Sequence, residues 1–72
     1  MSTILTNEEK AGIVNQHIRN IEYSLYNLEI SIMEEESVQN PNAEQIATLN
    51  VDITELNAKK TALVAELASL TV

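Results

Sequence analysis

Apolar residues recur along this chain at alternating steps of three and four residues, in two separate runs. Steps of this size place side chains on one stripe of an α-helix, because each is close to one helical turn. The first run consists of Ala11, Val14, Ile18, Ile21, Leu25, Leu28 and Ile32. The second run consists of Ile46, Leu49, Ile53, Leu56, Lys60, Leu63, Leu67 and Leu70. The pattern predicts two long amphipathic helices.

The first helix begins at a capping signal. Thr6 and Glu9 have the three-residue spacing of a capping box, in which each side chain accepts a backbone N–H at the start of a helix. Ile4 lies one heptad before Ala11, so we expect its side chain to cover the end of the first stripe. Helix 1 is therefore predicted to begin at about residue 7.

A loop separates the two runs. The first stripe fails at Glu35, where the next apolar position would fall, and Pro41 disfavours a helical conformation at the residue before it. Asn40 or Asn42 is then expected to cap the second helix. We predict helix 1 at about residues 7–36, the loop at about 37–42 and helix 2 at about 43–70.

A short loop between helices of nearly equal length makes them antiparallel neighbours. Folding at the loop brings Leu25 near Ile53 and Val14 near Leu63, so the two stripes meet in one register. Residues 1–72 are therefore predicted to form one all-α domain, an antiparallel two-helix hairpin with a coiled-coil-like heptad pattern.

The chain is short for a free-standing domain. Below about 70–80 residues, one core seldom supplies more than about 3–5 kcal/mol, so small domains usually need a disulfide, a metal or association. No cysteine is present, and the single histidine, His17, has no carboxylate three or four residues away. We therefore expect no metal or cofactor, and a homo-oligomer instead.

In that homo-oligomer the stripes would form the core of a four-helix or larger bundle. The predicted oligomer core is Val14, Ile18, Ile21, Leu25, Leu28, Ile32, Ile46, Leu49, Ile53, Leu56, Lys60, Leu63 and Leu67. The lysine has two interpretations. A single charged residue in a core fixes register and oligomeric state, whereas at a bundle edge it extends its ammonium group into solvent.

A second apolar surface lies behind the first stripe. Tyr23, Tyr26, Ile30 and Met33 recur at three and four residues on the opposite side of helix 1. Residues of this kind are enriched at the centres of protein interfaces, which predicts a site for binding another protein. The alternative is that the bundle core alone has a role and these residues are tolerated on a long helix.

Helix 1 ends in three consecutive acidic residues, Glu34, Glu35 and Glu36. The helix dipole disfavours negative charge at this end, by roughly 0.3–1 kcal/mol for each carboxylate. One interpretation is an acidic surface that binds a basic partner. The other is early fraying of the helix into a solvated loop.

The net charge and the absence of known catalytic and binding motifs argue against several classes of function. Four basic and eleven acidic residues give a net charge of −7, which repels nucleic acid and anionic membranes. No apolar run approaches the roughly 20 residues needed to cross a bilayer, so no membrane association is expected. No phosphate-binding glycine loop, nucleophile elbow or paired metal ligand is present, which predicts no catalytic residue and no enzyme. We expect a cytoplasmic protein, with a virion as the alternative.

The architecture resembles the Rop family of small RNA-binding helical hairpins, which dimerise into four-helix bundles. The resemblance covers length and topology and matches no functional residue. It implies dimerisation, with RNA binding as a minor alternative function. The chain's basic residues are too few and too mixed with acidic residues for a phosphate-binding face. They are Lys10, Arg19, Lys59 and Lys60.

Taken together, these features favour a non-enzymatic structural or interaction protein: a self-associating hairpin that scaffolds or decorates a larger assembly. Small hairpins of this kind are common in phages and plasmids, so a viral or plasmid origin follows by analogy. The alternative hypothesis is an acidic inhibitor or sequestering regulator of a basic protein, acting through the chain's negative field.

Overall fold

The computed structural model describes residues 4–70, which form two α-helices packed against each other. Helix α1 spans Asn7–Glu36 and helix α2 spans Ala43–Leu70. The loop between them reverses the chain, so the helices run antiparallel in a rod of 54 × 19 × 16 Å. No β-strand occurs between residues 4 and 70. The prediction of an all-α helical hairpin is confirmed.

Helix α1 begins with the predicted capping box. The Thr6 Oγ1 accepts the backbone N–H of Glu9 at 3.1 Å, and the Thr6 N–H donates to Oε1 of Glu9 at 2.9 Å. Ile4 is fully exposed, so the prediction that it covers the end of the stripe is wrong. The physical reason is that Thr6 has extended backbone angles, φ −72° and ψ 163°, and helical spacing does not continue through it.

Thr6 also lowers the pKa of the Glu9 carboxyl group. The backbone N–H of Thr6, and then its hydroxyl, favour the charged carboxylate and lower the pKa of Glu9 from its ordinary value. The carboxylate also lies in the first turn, where the helix dipole favours negative charge.

Replacing Glu9 with glutamine should lower the Tm at neutral pH and leave it unchanged in strong acid. Because the pKa of Glu9 is lower in the folded chain than in the unfolded chain, the carboxylate stabilises the fold above its ordinary pKa of 4.5. That contribution is lost as the pH falls through the lowered value. Circular dichroism melts of both proteins from pH 7 downward should show the Tm difference closing. A difference that stays constant with pH would contradict this account.

Asn42 caps helix α2, and it is one of the two candidates that the sequence indicates. Its Oδ1 accepts the backbone N–H of Gln45 at 3.0 Å. The backbone N–H of Asn42 donates to Oε1 of Glu35 at 3.2 Å, which joins the last turn of α1 to the start of α2. Pro41 lies immediately before this cap rather than in the first helical turn. The side chain of Glu35 in α1 therefore closes the loop on the backbone of the residue that caps α2.

The two apolar stripes face each other along the length of the hairpin, and we call this contact the seam. Every seam residue is half-buried, and no side chain among residues 4–70 is fully buried. The seam consists of Ala11, Val14, Ile18, Ile21, Leu25, Leu28, Ile32, Ile46, Leu49, Ile53, Leu56, Lys60, Leu63, Leu67 and Leu70. Each helix has one helical neighbour, so it covers only one side of the other's stripe.

Candidate functional site

The hairpin has two broad faces, one on each side of the seam. One face carries the seam's polar neighbours Ser24, Ser31, Asp52 and Lys59, which line a groove between the helices. We call it the groove face. The other carries Glu22, which reaches across to α2, and we call it the ion-pair face. The seam is open to solvent on both.

A groove of about 480 Å³ lies at the middle of the groove face. Leu28 and Leu56 come from the seam and supply its apolar surface. The groove is lined by Ser24, Asn27, Leu28, Ser31, Asp52, Glu55, Leu56 and Lys59. Helix α1 therefore contributes a leucine and short polar side chains to this surface, and α2 contributes a leucine and the charged groups.

A second cleft of about 340 Å³ lies on the same face, nearer the start of α1. Lys10 and Glu66 line it together, as the antiparallel register predicts, with Val14 of the seam between them. Leu5 and Ile13 also line this cleft and are 38% and 50% exposed. The groove face therefore presents apolar surface at its middle and at one end.

Lys60 occupies a seam position and reaches out of it. Its Nζ lies 3.4 Å from Oε2 of Glu22, and the two side chains are 34% and 45% exposed. This is the only ion pair between residues 4 and 70. The lysine stem lies in the seam while its ammonium group extends to the ion-pair face, which agrees with the interpretation of an edge lysine.

The apolar surface behind the seam is open to solvent. Tyr23, Tyr26 and Met33 are 61%, 64% and 59% exposed, whereas Ile30 is half-buried. Arg19 places its guanidinium carbon 5.2 Å from the centre of the Tyr23 ring, within the range of a cation–π contact. We call Tyr23, Tyr26, Ile30 and Met33 the outer patch.

The three glutamates at the end of α1 do not share one environment. Glu34 and Glu36 are exposed, but Glu35 is half-buried and its carboxylate accepts the Asn42 N–H. Glu35 occupies the position after Ile32 in the first stripe, so it points toward α2. It therefore takes part in closing the loop, and only its two neighbours present carboxylates outward.

Sequence reasoning did not identify three of these features. The groove depends on how two helices pack, and no periodic pattern specifies its volume. The contact between Arg19 and Tyr23 follows from a spacing of four residues on one helix, a signal that was present in the sequence. The partner of Lys60 lies on the other helix, so its identification required the side-chain geometry.

His17 is exposed, and residues 4–70 contain no group of three or more His, Asp or Glu side chains arranged to hold a metal ion. Neither α1 nor α2 combines the length and the apolar character that a membrane-spanning helix requires. The candidate functional sites on the described residues are two surfaces. One is the open seam with its groove, and the other is the outer patch.

No protein-family model matches the chain, and neither a curated protein nor a solved structure matches it significantly.

Proposed function

We propose that this protein is a non-enzymatic interaction protein whose hairpins associate through their open seams into a helical bundle that scaffolds or decorates a larger assembly. The observation that carries the proposal is the absence of any fully buried side chain among residues 4–70. A folded domain normally stabilises itself by removing a set of side chains from water. This hairpin leaves all of its leucines and isoleucines partly in contact with water.

The accessible surface supports the same proposal. The chain exposes 5512 Å². A compact monomer of its mass would expose about 4,400–4,500 Å². The difference, roughly 1,000 Å², is close to the ~800 Å² that each partner buries in a stable interface of standard size. A second hairpin packed on the seam would therefore bury about as much surface as this chain exposes beyond a compact monomer.

The gain from covering the seam is large relative to the stability of a small domain. Burying a leucine or isoleucine completely contributes about 1.5–3 kcal/mol, so covering the exposed part of one seam residue contributes at most about a third of that. The leucines and isoleucines of the whole seam together would then contribute at least as much as the roughly 3–5 kcal/mol that one small core supplies. Association would then determine whether the fold is stable.

In this arrangement the outer patch remains accessible. Tyr23, Tyr26 and Met33 extend away from the seam and are each more than half exposed. A bundle built through the seams would carry these residues on its outside, where they could bind another component of the assembly. The proposal therefore separates two surfaces, one for self-association and one for a further partner.

The Tm of the wild-type chain should rise with protein concentration, because a dimer is stabilised by mass action and a monomer is not. The Tyr26→Ser, Met33→Ser double variant should show the same rise, since both residues lie outside the seam. Circular dichroism melts over a hundredfold range of concentration test both statements. A concentration-independent Tm in the wild type would argue against self-association. A dependence lost only in the double variant would assign self-association to the outer patch instead.

A further inference from the structure

The geometry points to the groove face as the surface on which a second copy of this chain docks. We propose a twofold arrangement centred on the groove, with α2 of one copy antiparallel to α2 of the other and the two copies of α1 paired likewise. This inference rests on the proposed self-association and adds the face and the orientation.

Side-chain size favours this face over the other. The groove is open above Leu28 and Leu56, and its α1 wall is formed by the short side chains of Ser24 and Ser31. Short side chains at a contact allow two helices to approach closely, whereas long ones hold them apart. On the ion-pair face, Glu22 and the ammonium group of Lys60 lie across the seam.

The charges in the groove also fit a second copy. Asp52 and Lys59 line the groove on α2, on either side of its middle at Glu55 and Leu56. A twofold axis midway between residues 55 and 56 exchanges positions 52 and 59. Each Asp52 then lies opposite Lys59 of the second copy, and symmetry makes this contact twice. Lys59 makes no ion pair within the described part of its own chain.

The twofold axis also brings the two Glu55 carboxylates side by side at the rim of the contact, which is an unfavourable charge pair. Removing that pair should tighten the association.

Sedimentation equilibrium of charge variants tests the arrangement. Asp52→Lys places two lysines opposite each other and should raise the Kd of the dimer about tenfold or more. The double variant Asp52→Lys, Lys59→Asp restores opposite charges and should return the Kd to within about threefold of wild type. Glu55→Gln should lower the Kd about two- to fivefold. Far-UV circular dichroism verifies that each variant remains helical.

The matched control is Glu29→Lys, which makes the same change in net charge at an exposed position two turns after Glu22, on the ion-pair face of α1. It should leave the Kd within about twofold of wild type. A Kd that responds to Glu29→Lys and not to Asp52→Lys would place the second copy on the other face. Failure of the double variant to regain affinity would overturn the antiparallel orientation. Either result leaves self-association intact, whereas a wild-type chain that does not dimerise contradicts the proposed function itself.

Discussion

Replacing Leu56 with alanine is expected to lower the free energy of unfolding by about 2–5 kcal/mol per chain and to abolish self-association at micromolar concentration. Leu56 is half-buried in the hairpin and lines the groove, so a second copy would enclose it completely. In an isolated hairpin the same truncation would cost less, about 1–2 kcal/mol, because part of the side chain is already in water. Urea unfolding at a fixed chain concentration separates the two values.

Val51→Ala is the control for this experiment. Val51 lies on the same helix, away from the seam, and is 56% exposed. Its truncation should change the free energy of unfolding by no more than about 0.5 kcal/mol. Equal losses from Leu56→Ala and Val51→Ala would mean that the seam is not the main source of stability.

Replacing Lys60 with leucine is expected to raise the free energy of unfolding by about 1–2 kcal/mol per chain. The substitution completes the apolar stripe and removes an ammonium group that must be partly desolvated when the seam is covered. The ion pair with Glu22 offsets little of this, since both side chains are at least a third exposed and such pairs contribute up to about 1 kcal/mol. Thermal and urea unfolding measure the gain.

Glu22→Gln separates the ion pair from the apolar effect, because it removes the contact while keeping the lysine. It should change stability by at most about 0.5 kcal/mol. A Lys60→Leu chain less stable than wild type would show that the lysine is needed in the seam. A change in oligomeric state, measured by sedimentation, would instead indicate that it selects the assembly, as single polar residues do in coiled coils.

The secondary structure could be predicted from the sequence because its signals are local and periodic. The capping box at Thr6, the break at Pro41 and the steps of three and four residues each act within a few turns, and α1 and α2 have the bounds that they indicate. Ile4 shows the limit of this reasoning. A heptad position has meaning only inside a helix, and the chain leaves the helix at Thr6.

The environments of individual polar side chains required the structure. Glu35 belongs to an acidic run, and its charge alone indicates an outward position, yet its place in the stripe directs it toward the loop, where it accepts the Asn42 N–H. Similarly, the sequence places Lys60 in a core but gives no reason to choose Glu22 as its partner. Such contacts depend on the stagger between helices, which periodicity does not specify.

The surfaces of the hairpin also differ in whether the sequence predicts them. Periodicity places Tyr23 and Tyr26 behind the seam, and the structure finds both exposed. The groove between Ser24 and Lys59 has no counterpart in any single run of residues, because two helices build it together. The face and the orientation that we propose for self-association rest on this groove.

Absolute mass in solution, measured by light scattering on the wild-type chain, tests the central claim most directly. The proposed seam-to-seam association predicts a mass of at least twice the 8.0 kDa of one chain, persisting at high salt because apolar burial is not screened. A mass of 8.0 kDa across the accessible concentrations, with helicity intact, would contradict it.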